Sequence, residues 1–324
     1  MKVLITGAAG HLGAALANLL CAEGHRVLGL DVRDAEDPSS LPAARLAGAR
    51  ASGHFSLERC DVRDALALQE PLRRFLPEAV VHLAGRRDLE WAEAHPAECL
   101  RLNAGAGLQL LAECRRLRIG QVVLLSSAHA YGASRRYPQG EDDPCDRPLS
   151  ALGAACRALE LGAHALSLRT PVNITVFRLF SLYGPWPSPH RLLPTLARAA
   201  AARRPLPIAG DGSMSRDLIF VDDAAAAMRR ALERPAPFRI LNLGSGESTT
   251  LLQVAGQVAA RFDVLLRSET WPLRPGELPQ AWADVRRLRD ELGFAPAVTP
   301  EEGLRRFCDW FQALPDELRR LYDS

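Results

Sequence analysis

Lysine is almost absent from this sequence of 324 residues, because Lys2 is the only one among 40 basic residues and arginine carries the rest of the positive charge. A surface of one charge sign is absent as well, since 38 acidic residues are interleaved with the arginines and leave a net charge of +2. Nucleic-acid-binding faces are strongly basic, and disordered tails carry runs of one charge. The sequence therefore favours small molecules as partners and excludes nucleic acid.

Metal-ligand patterns and long apolar runs are also missing. The seven cysteines are irregularly spaced and form no Cys-x-x-Cys pair, which predicts no metal site and a reducing compartment. No apolar stretch reaches the ~18 residues that a membrane-spanning helix needs. The apolar run from Lys2 to Cys21 imitates a signal peptide, but His11 and Asn18 interrupt it. We therefore predict a cytoplasmic protein without a membrane partner.

What the sequence does contain is an alternation of apolar runs and helical patterns. Apolar runs of this kind form strands that are buried on both faces of a parallel sheet, and they lie at residues 3–7, 25–31, 79–85, 121–127 and 173–180. The helical patterns between them lie at residues 11–23, 64–75, 97–118 and 151–168. The alternation predicts an α/β fold with a doubly wound parallel sheet of the Rossmann type.

The strongest local signal is TGAAGHLG, which places Gly7, Gly10 and Gly13 between a strand and a helix. Glycines allow a tight turn and a close approach of the backbone, so that a pyrophosphate rests on the N-terminus of the helix. Asp31 ends the next strand, where a carboxylate accepts both hydroxyls of an adenosine ribose and favours NAD over NADP. Arg33 is nevertheless compatible with the 2′-phosphate of NADP.

After about residue 181 the alternation loosens and prolines gather, as in YGPWPSPH and RPLPIAGDG. We predict an NAD-binding Rossmann domain over residues 1–180 and a smaller domain, mainly for substrate binding, over residues 181–324. Segments within residues 215–260 are expected to return to the first domain, so that the C-terminal domain is partly interleaved with it.

The spacing TGxxGxxG resembles that of the extended short-chain dehydrogenase/reductases, in particular the NAD-dependent epimerase/dehydratase family, and the resemblance continues along nearly the whole chain. Cofactor-contacting segments of that family are similar to CDVRD (60–64), HLAG (82–85) and LNAGAG (102–107). A basic residue near the cofactor phosphates follows the second of these segments in relatives. The resemblance implies NAD contacts at Asp61, Val62, Ala84, Arg87 and Asn103.

Motifs in and after the middle of the chain are similar to those of enzymes that act on nucleotide sugars. They are SSAHAYG (126–132), RLFSLYGPW (178–186), GDGSMSRDLIFVDD (210–223) and LRPGELPQAWAD (273–284). The resemblance implies that Ser127 hydrogen-bonds the reacting sugar hydroxyl and that Arg216 and Arg274 bind the diphosphate of a nucleotide sugar. Ser181 stands where the family has an asparagine. YGPW is similar to the UDP-glucuronate 4-epimerase branch, and the family implies a homodimer through residues 97–118 and 151–168.

One departure from the family concerns its catalytic Tyr-x-x-x-Lys pair. PLSALGAACRALE (148–160) keeps the proline, the serine and the final glutamate of the family's frame, but Leu152 takes the tyrosine position and Cys156 the lysine position. No Tyr-x-x-x-Lys occurs elsewhere, because Lys2 is the only lysine. His129 is a candidate substitute, at a position where dehydratase relatives carry a glutamate. Cys156, Tyr131 and a water molecule are the alternatives.

Three interpretations of this departure remain open. The protein is an NAD-dependent enzyme that epimerises a nucleotide sugar by transient oxidation with an altered proton relay, which we favour. Alternatively it binds NAD and nucleotide sugars without redox chemistry, or it is a lyase or isomerase on the same scaffold. Loss of a general base costs a factor of ~10² to 10⁴ in rate, so the missing tyrosine weighs against turnover, whereas the retained Ser127 and phosphate-binding arginines weigh for it.

Overall fold

The computed structural model describes residues 1–33, 35–37, 39–134 and 136–322. Its strands are β1 (Lys2–Thr6), β2 (Arg26–Asp31), β3 (Phe55–Arg59), β4 (Ala79–His82), β5 (Gln121–Ser127), β6 (Asn173–Leu179), β7 (Ser181–Tyr183), β8 (Leu206–Ala209), β9 (Ser215–Arg216), β10 (Leu218–Phe220), β11 (Phe238–Leu243), β12 (Thr249–Thr250), β13 (Ser268–Trp271) and β14 (Gln280–Ala281). Its helices are α1 (His11–Ala22), α2 (Leu41–Ala51), α3 (Ala65–Phe75), α4 (Leu89–Ala94), α5 (Pro96–Leu100), α6 (Ala106–Arg116), α7 (Ala151–Ser167), α8 (Leu192–Ala201), α9 (Val221–Glu233), α10 (Leu251–Arg261), α11 (Arg286–Leu292), α12 (Pro300–Gln312) and α13 (Asp316–Arg319).

Among the described residues, seven strands form one parallel sheet in the order β11-β6-β5-β4-β1-β2-β3. The strand order proceeds in opposite directions from β1 and β4, so the chain changes direction across the sheet at this point. In open α/β sheets ligands bind at such a switch point, outside the carboxyl ends of the strands. The predicted doubly wound α/β fold is confirmed, and it places the expected site above β1 and β4.

The inner strands are largely apolar because helices cover both faces of the sheet. β4 and β5 are buried at every position. β3, with the sequence FSLER, is only partly buried, because it lies at the edge of the sheet. It lacks the continuous apolar run of the inner strands, so the sequence pattern does not predict it.

Helices α1, α3 and α7 lie where the helical patterns predict them. The helix predicted over residues 97–118 is present as α5 and α6, which are joined without a break by a π-helical turn at Arg101–Gly105. The start of α7 is fixed by Ser150, whose Oγ accepts a hydrogen bond from the backbone N–H of Gly153 at 3.0 Å. An N-cap of this kind satisfies one of the free N–H groups at a helix start.

Two apolar clusters cover the faces of the sheet, and a third lies apart from it. α1 and α9 pack on one face, and α3, α6 and α7 on the other. The separate cluster is formed largely by α8, α10 and α12. β11 and α9, which come from the second half of the chain, thus belong to the sheet layer, while the division into domains near residue 180 stays a prediction.

In the described part of the chain, no helix combines the length and apolarity needed to cross a membrane.

Candidate cofactor and substrate cleft

The glycine-rich loop between β1 and α1 is packed too tightly for side chains. Gly7 has a φ of +70°, and a Cβ there would lie 2.7 Å from the backbone N of Ala84, in the loop after β4. A Cβ on Gly13 would lie 2.2 Å from the carbonyl oxygen of Gly7. The start of α1 has neither a side-chain cap nor an acidic residue in its first turn. The loop therefore presents an unscreened helix N-terminus, which is suited to a phosphate.

Asp31 lies beside this loop at the end of β2 and is almost completely buried. Its carboxylate accepts hydrogen bonds from the backbone N–H of Ala9 and from Nε and Nη2 of Arg33, each at 3.0 Å. Arg33 is therefore engaged by the carboxylate. A ribose diol that binds Asp31 must share the carboxylate with Arg33 or displace its guanidinium.

The remaining predicted cofactor contacts surround the same edge of the sheet. Val62 is buried, whereas Asp61 is partly exposed and pairs with Arg63 at 2.6 Å. Asn103 accepts a hydrogen bond from the backbone N–H of Arg86 at 3.0 Å and donates one to the carbonyl oxygen of the same residue at 3.1 Å. Asn103 thus holds the loop after β4. Arg87, next in that loop, donates from Nη2 to the carbonyl oxygen of Leu125 at 2.6 Å.

Ser127 and His129 lie where β5 ends and the chain turns toward α7. Ser127 Oγ accepts a hydrogen bond from the backbone N–H of His129 at 3.3 Å. Nδ1 of His129 is buried and has no hydrogen-bond partner among the described residues. Burial lowers the pKa of His129 to about 4, with opposing electrostatic contributions from Glu277 and Arg216. The imidazole is therefore neutral at pH 7 and able to accept a proton.

Leu152 and Cys156, at the tyrosine and lysine positions of the family's pair, are both about 1% exposed. They pack in one apolar cluster with Leu89, Ala92, Cys99, Ala130 and Ala155. Burial raises the pKa of Cys156 to about 11, although the positive charge of Arg87 opposes this increase. The thiol is therefore protonated at neutral pH, and neither side chain offers a general base.

A buried polar network anchors α7 behind this cluster. Glu160 is fully buried and accepts hydrogen bonds from Ser126 Oγ at 2.6 Å and from Nε and Nη2 of Arg178, each at 2.9 Å. The guanidinium of Arg178 lies 4.6 Å from the ring centroid of Tyr131. Tyr131 donates its hydroxyl to Asn242 Oδ1 at 2.7 Å, and burial raises its pKa. Tyr131 is thus a packed, neutral residue at pH 7.

The predicted phosphate-binding arginines lie on the other side of the cleft. Arg216 donates to Glu277 Oε1 at 2.7 Å, and Arg274 lies 3.6 Å from Glu90 with about half of its side chain exposed. Ser181 begins β7 and donates its backbone N–H to the carbonyl oxygen of Asp217 at 2.9 Å. Arg216 is one of two arginines whose charge acts on His129.

Arg191, in the loop before α8, was not singled out by any motif. Its Nη2 lies 3.4 Å from the carbonyl oxygen of Arg87, and its charge acts on both His11 and His129. Arg191 therefore acts electrostatically on His11 at the start of α1, on His129 after β5, and on the region of Arg274.

Comparison with known proteins agrees with this geometry. A family model described as the NAD dependent epimerase/dehydratase family matches residues 3–244, from β1 to the residue after β11. The chain belongs to this family. The predicted resemblance to this family is confirmed. The prediction of NAD as the cofactor is also confirmed, because the family is NAD-dependent.

Relatives within the NAD-dependent epimerase/dehydratase family match nearly the full chain. A probable UDP-glucuronate 4-epimerase of Rhizobium meliloti is 29% identical, over 96% of this chain and 97% of that protein. A UDP-glucose 4-epimerase of Mycolicibacterium smegmatis is 31% identical, over 96% of this chain and 99% of that protein. The crystal structure of a UDP-glucuronic acid 4-epimerase from Bacillus cereus, in complex with UDP-glucuronic acid and NAD, has a TM-score of 0.88 at 25% identity, and covers 97% of this chain and 100% of that one.

Proposed function

We propose that the protein binds NAD and a nucleotide sugar and epimerises the sugar by transient oxidation of a ring hydroxyl, with a proton relay that does not use tyrosine and lysine. The observation that carries this proposal is the neutral imidazole of His129, which lies beside Ser127 at the carboxyl end of β5. Relatives named as UDP-glucuronate and UDP-glucose 4-epimerases support the reaction class.

The residues of the cofactor side fit NAD. Gly7 and Gly13 leave no space for a Cβ, as expected of a backbone that approaches a pyrophosphate closely, and Asp31 offers a buried carboxylate for a ribose. When bound, NAD supplies an acceptor for the hydride of the sugar carbon and returns it later. What the chain itself must do is bind the sugar and take the hydroxyl proton.

We assign these two tasks to Ser127 and His129. Ser127 hydrogen-bonds the reacting hydroxyl, and the neutral imidazole of His129 accepts its proton while the carbonyl forms. The proton returns to the oxygen when the hydride is given back to the other face of the sugar. A base with a pKa of about 4 is weaker than the ~7 that suits neutral pH. Turnover slower than in relatives with the full pair is therefore expected.

The test is product analysis on a panel of UDP-, dTDP- and GDP-sugars with NAD, read by chromatography and by nicotinamide absorbance. We expect a new sugar from the wild-type protein and a loss of ~10² to 10⁴ in rate in His129→Gln, which removes the base. His164→Gln, at an exposed position near the end of α7, is the matched control and leaves the rate unchanged. Equal turnover by His129→Gln and wild type would contradict the relay.

The pH profile gives a second measurement of the same assignment. His129 must be neutral to accept a proton, and its folded-state pKa is lowered to about 4 by burial. Activity is therefore constant between about pH 5 and pH 8 and declines as the pH falls through about 4, where the imidazole becomes protonated. A decline already near the ordinary histidine pKa of ~6.5 would mean that another group carries the proton.

A binding protein without redox chemistry is the second candidate, and a specific observation favours it. Leu152 and Cys156 fill a closed apolar cluster, so nothing at the position of the usual pair can move a proton. If no sugar on the panel is converted although NAD and a nucleotide sugar bind, this candidate is preferred. Leu152→Tyr with Cys156→Lys then tests whether the proton relay alone is missing.

A further inference from the structure

The carboxylate of Asp31 already uses its whole capacity to accept hydrogen bonds. It accepts four, each at 3.0 Å: two from the backbone N–H groups of Ala9 and Arg33, and two from Nε and Nη2 of the Arg33 side chain. A carboxylate has about four lone-pair sites. An adenosine ribose that donates both hydroxyls to Asp31 therefore competes with the guanidinium for the same two sites.

The fork between Arg33 and Asp31 follows from the local sequence Asp-Val-Arg. The same three residues occur at 61–63 and 284–286, and there too the arginine donates its backbone N–H and its Nε to the carboxylate. The first fork differs in burial, since the side chain of Asp31 is 3% exposed, against 36% and 14% for the aspartates of the other two. Arg33 thus neutralises a carboxylate that solvent barely reaches.

A second guanidinium lies against the same loop. Arg45 is buried, and its Nη1 donates to the carbonyl oxygen of Ala9 at 3.2 Å, while its Nη2 has no hydrogen-bond partner among the described residues. Arg33 also touches the glycine loop, because a Cβ built on Gly10 would lie 3.3 Å from its Nη2. One carboxylate and two guanidiniums therefore meet at Ala9 and Gly10, and in this set of three groups the positive charge exceeds the negative.

This set of charges bears on the discrimination between NAD and NADP. An unpaired aspartate repels the 2′-phosphate of NADP, whereas an arginine beside the ribose binds that phosphate. Here the carboxylate that would repel the phosphate carries a cation, and the planar fork of a guanidinium matches phosphate oxygens with two hydrogen bonds. The diol of NAD must displace the Arg33 fork, while the 2′-phosphate of NADP is a partner for it.

We propose that Arg33 determines cofactor choice by occupying the acceptor sites of Asp31, so that this edge of the sheet binds NADP as well as NAD. The side chain of Arg33 is 46% exposed, and such ion pairs are weak, so its displacement lowers the affinity for NAD by no more than about fivefold. The inference needs no turnover, so its failure would leave the proposed epimerisation untouched.

The experiment measures the affinities of wild type and Arg33→Met for NAD and NADP by isothermal titration calorimetry. We expect the two wild-type affinities to lie within about tenfold of each other. In Arg33→Met the affinity for NADP should fall about 10- to 100-fold, because a charge-assisted fork is lost and Asp31 faces the phosphate without its cation. The affinity for NAD should stay the same or rise by up to about fivefold.

Two outcomes would overturn the proposal. One is a wild-type preference for NAD of more than about 100-fold. The other is an equal loss of both affinities in Arg33→Met, which would make Arg33 a ligand of the part that NAD and NADP share. The fragments 5′-AMP and 2′,5′-ADP, which differ only in the 2′-phosphate, should repeat the change of preference and so assign it to the adenosine end.

Arg286→Met is the matched control, because it removes the same fork from the third Asp-Val-Arg segment. It should leave the affinities for NAD and NADP unchanged, and a change of preference like that of Arg33→Met would contradict a local effect at Asp31. Arg33→Lys keeps the charge without the planar fork. It should retain more affinity for NADP than Arg33→Met, and equal losses in the two variants would mean that the charge at position 33 does not bind the phosphate.

Discussion

The glycine-rich loop at residues 6–13 and the first turns of α7 differ in how many residues of the family's motifs they retain. The loop is defined by backbone contacts, such as the one that would put a Cβ of Gly13 2.2 Å from the carbonyl oxygen of Gly7. α7 keeps its cap at Ser150 and its anchor at Glu160, while the reactive positions between them hold Leu152 and Cys156. A site made by backbone resists substitution. A reactive pair of side chains can be replaced without loss of the fold, because packing requires only side chains of suitable volume and polarity.

The largest effect is expected from Gly13→Ala. The added Cβ collides with backbone that cannot move away, so the loop must shift from α1. We expect NAD affinity to fall by at least ~100-fold, together with a lower melting temperature. Gly256→Ala is the control, because nothing lies within 4 Å of a Cβ at this position in α10. That substitution should stabilise the protein by ~0.5–1 kcal/mol and leave NAD binding unchanged. Normal NAD binding by Gly13→Ala would contradict the idea of a rigid cradle.

The second largest effect is expected from a substitution at Glu160, the buried residue that anchors α7. Glu160→Gln removes the charge that pairs with the buried Arg178 and leaves this cation uncompensated. We expect the free energy of unfolding to fall by about 3–5 kcal/mol, as for other buried pairs that lose one partner. Urea denaturation measures it. Glu302→Gln, in an exposed set of pairs with Arg305 and Arg306, is the control and should change the denaturation midpoint little. Similar midpoints for the two variants would mean that Glu160 does not anchor the helix.

The smallest effect is expected where the family's tyrosine would stand. Leu152→Met conserves volume in an apolar cluster, and such exchanges cost less than ~1.5 kcal/mol. NAD affinity should stay at the wild-type value, because the side chain packs and does not bind. Calorimetry and a denaturation curve check both quantities. A marked loss of NAD affinity in Leu152→Met would show that the replaced position still serves the cofactor, and would weaken the contrast with the glycine loop.

The sequence predicts some parts of the molecule well because the signals there are local. The inner strands have continuous apolar runs, and TGAAGHLG contains its own turn, so both can be recognised without tertiary contacts. β3 is missed because an edge strand with the sequence FSLER needs no apolar run. The helix predicted over residues 97–118 is present, but the sequence pattern does not reveal the π-helical turn at Arg101–Gly105 within it.

The residues of the candidate site also fall into two groups, those that the sequence predicts and those that it does not. Ser127, Arg216 and Asp31 lie in motifs, whereas Arg191 belongs to no motif and enters the cleft through the path of the loop before α8. The engagement of Asp31 by Arg33 is a side-chain contact between two residues that the sequence singled out for opposite reasons. Motif spacing indicates which residues are candidates, but it does not indicate which of them already have partners.

By itself the sequence determined the doubly wound sheet, the glycine-rich turn between β1 and α1 and the absence of a Tyr-x-x-x-Lys pair, since each of these is a matter of residue type and short spacing. Only the tertiary structure decided how that loss is accommodated. It closed Leu152 and Cys156 into an apolar cluster, where burial raises the pKa of the Cys156 thiol. The environment of a charge depends on residues distant in the chain, because burial and electrostatic interactions act through space.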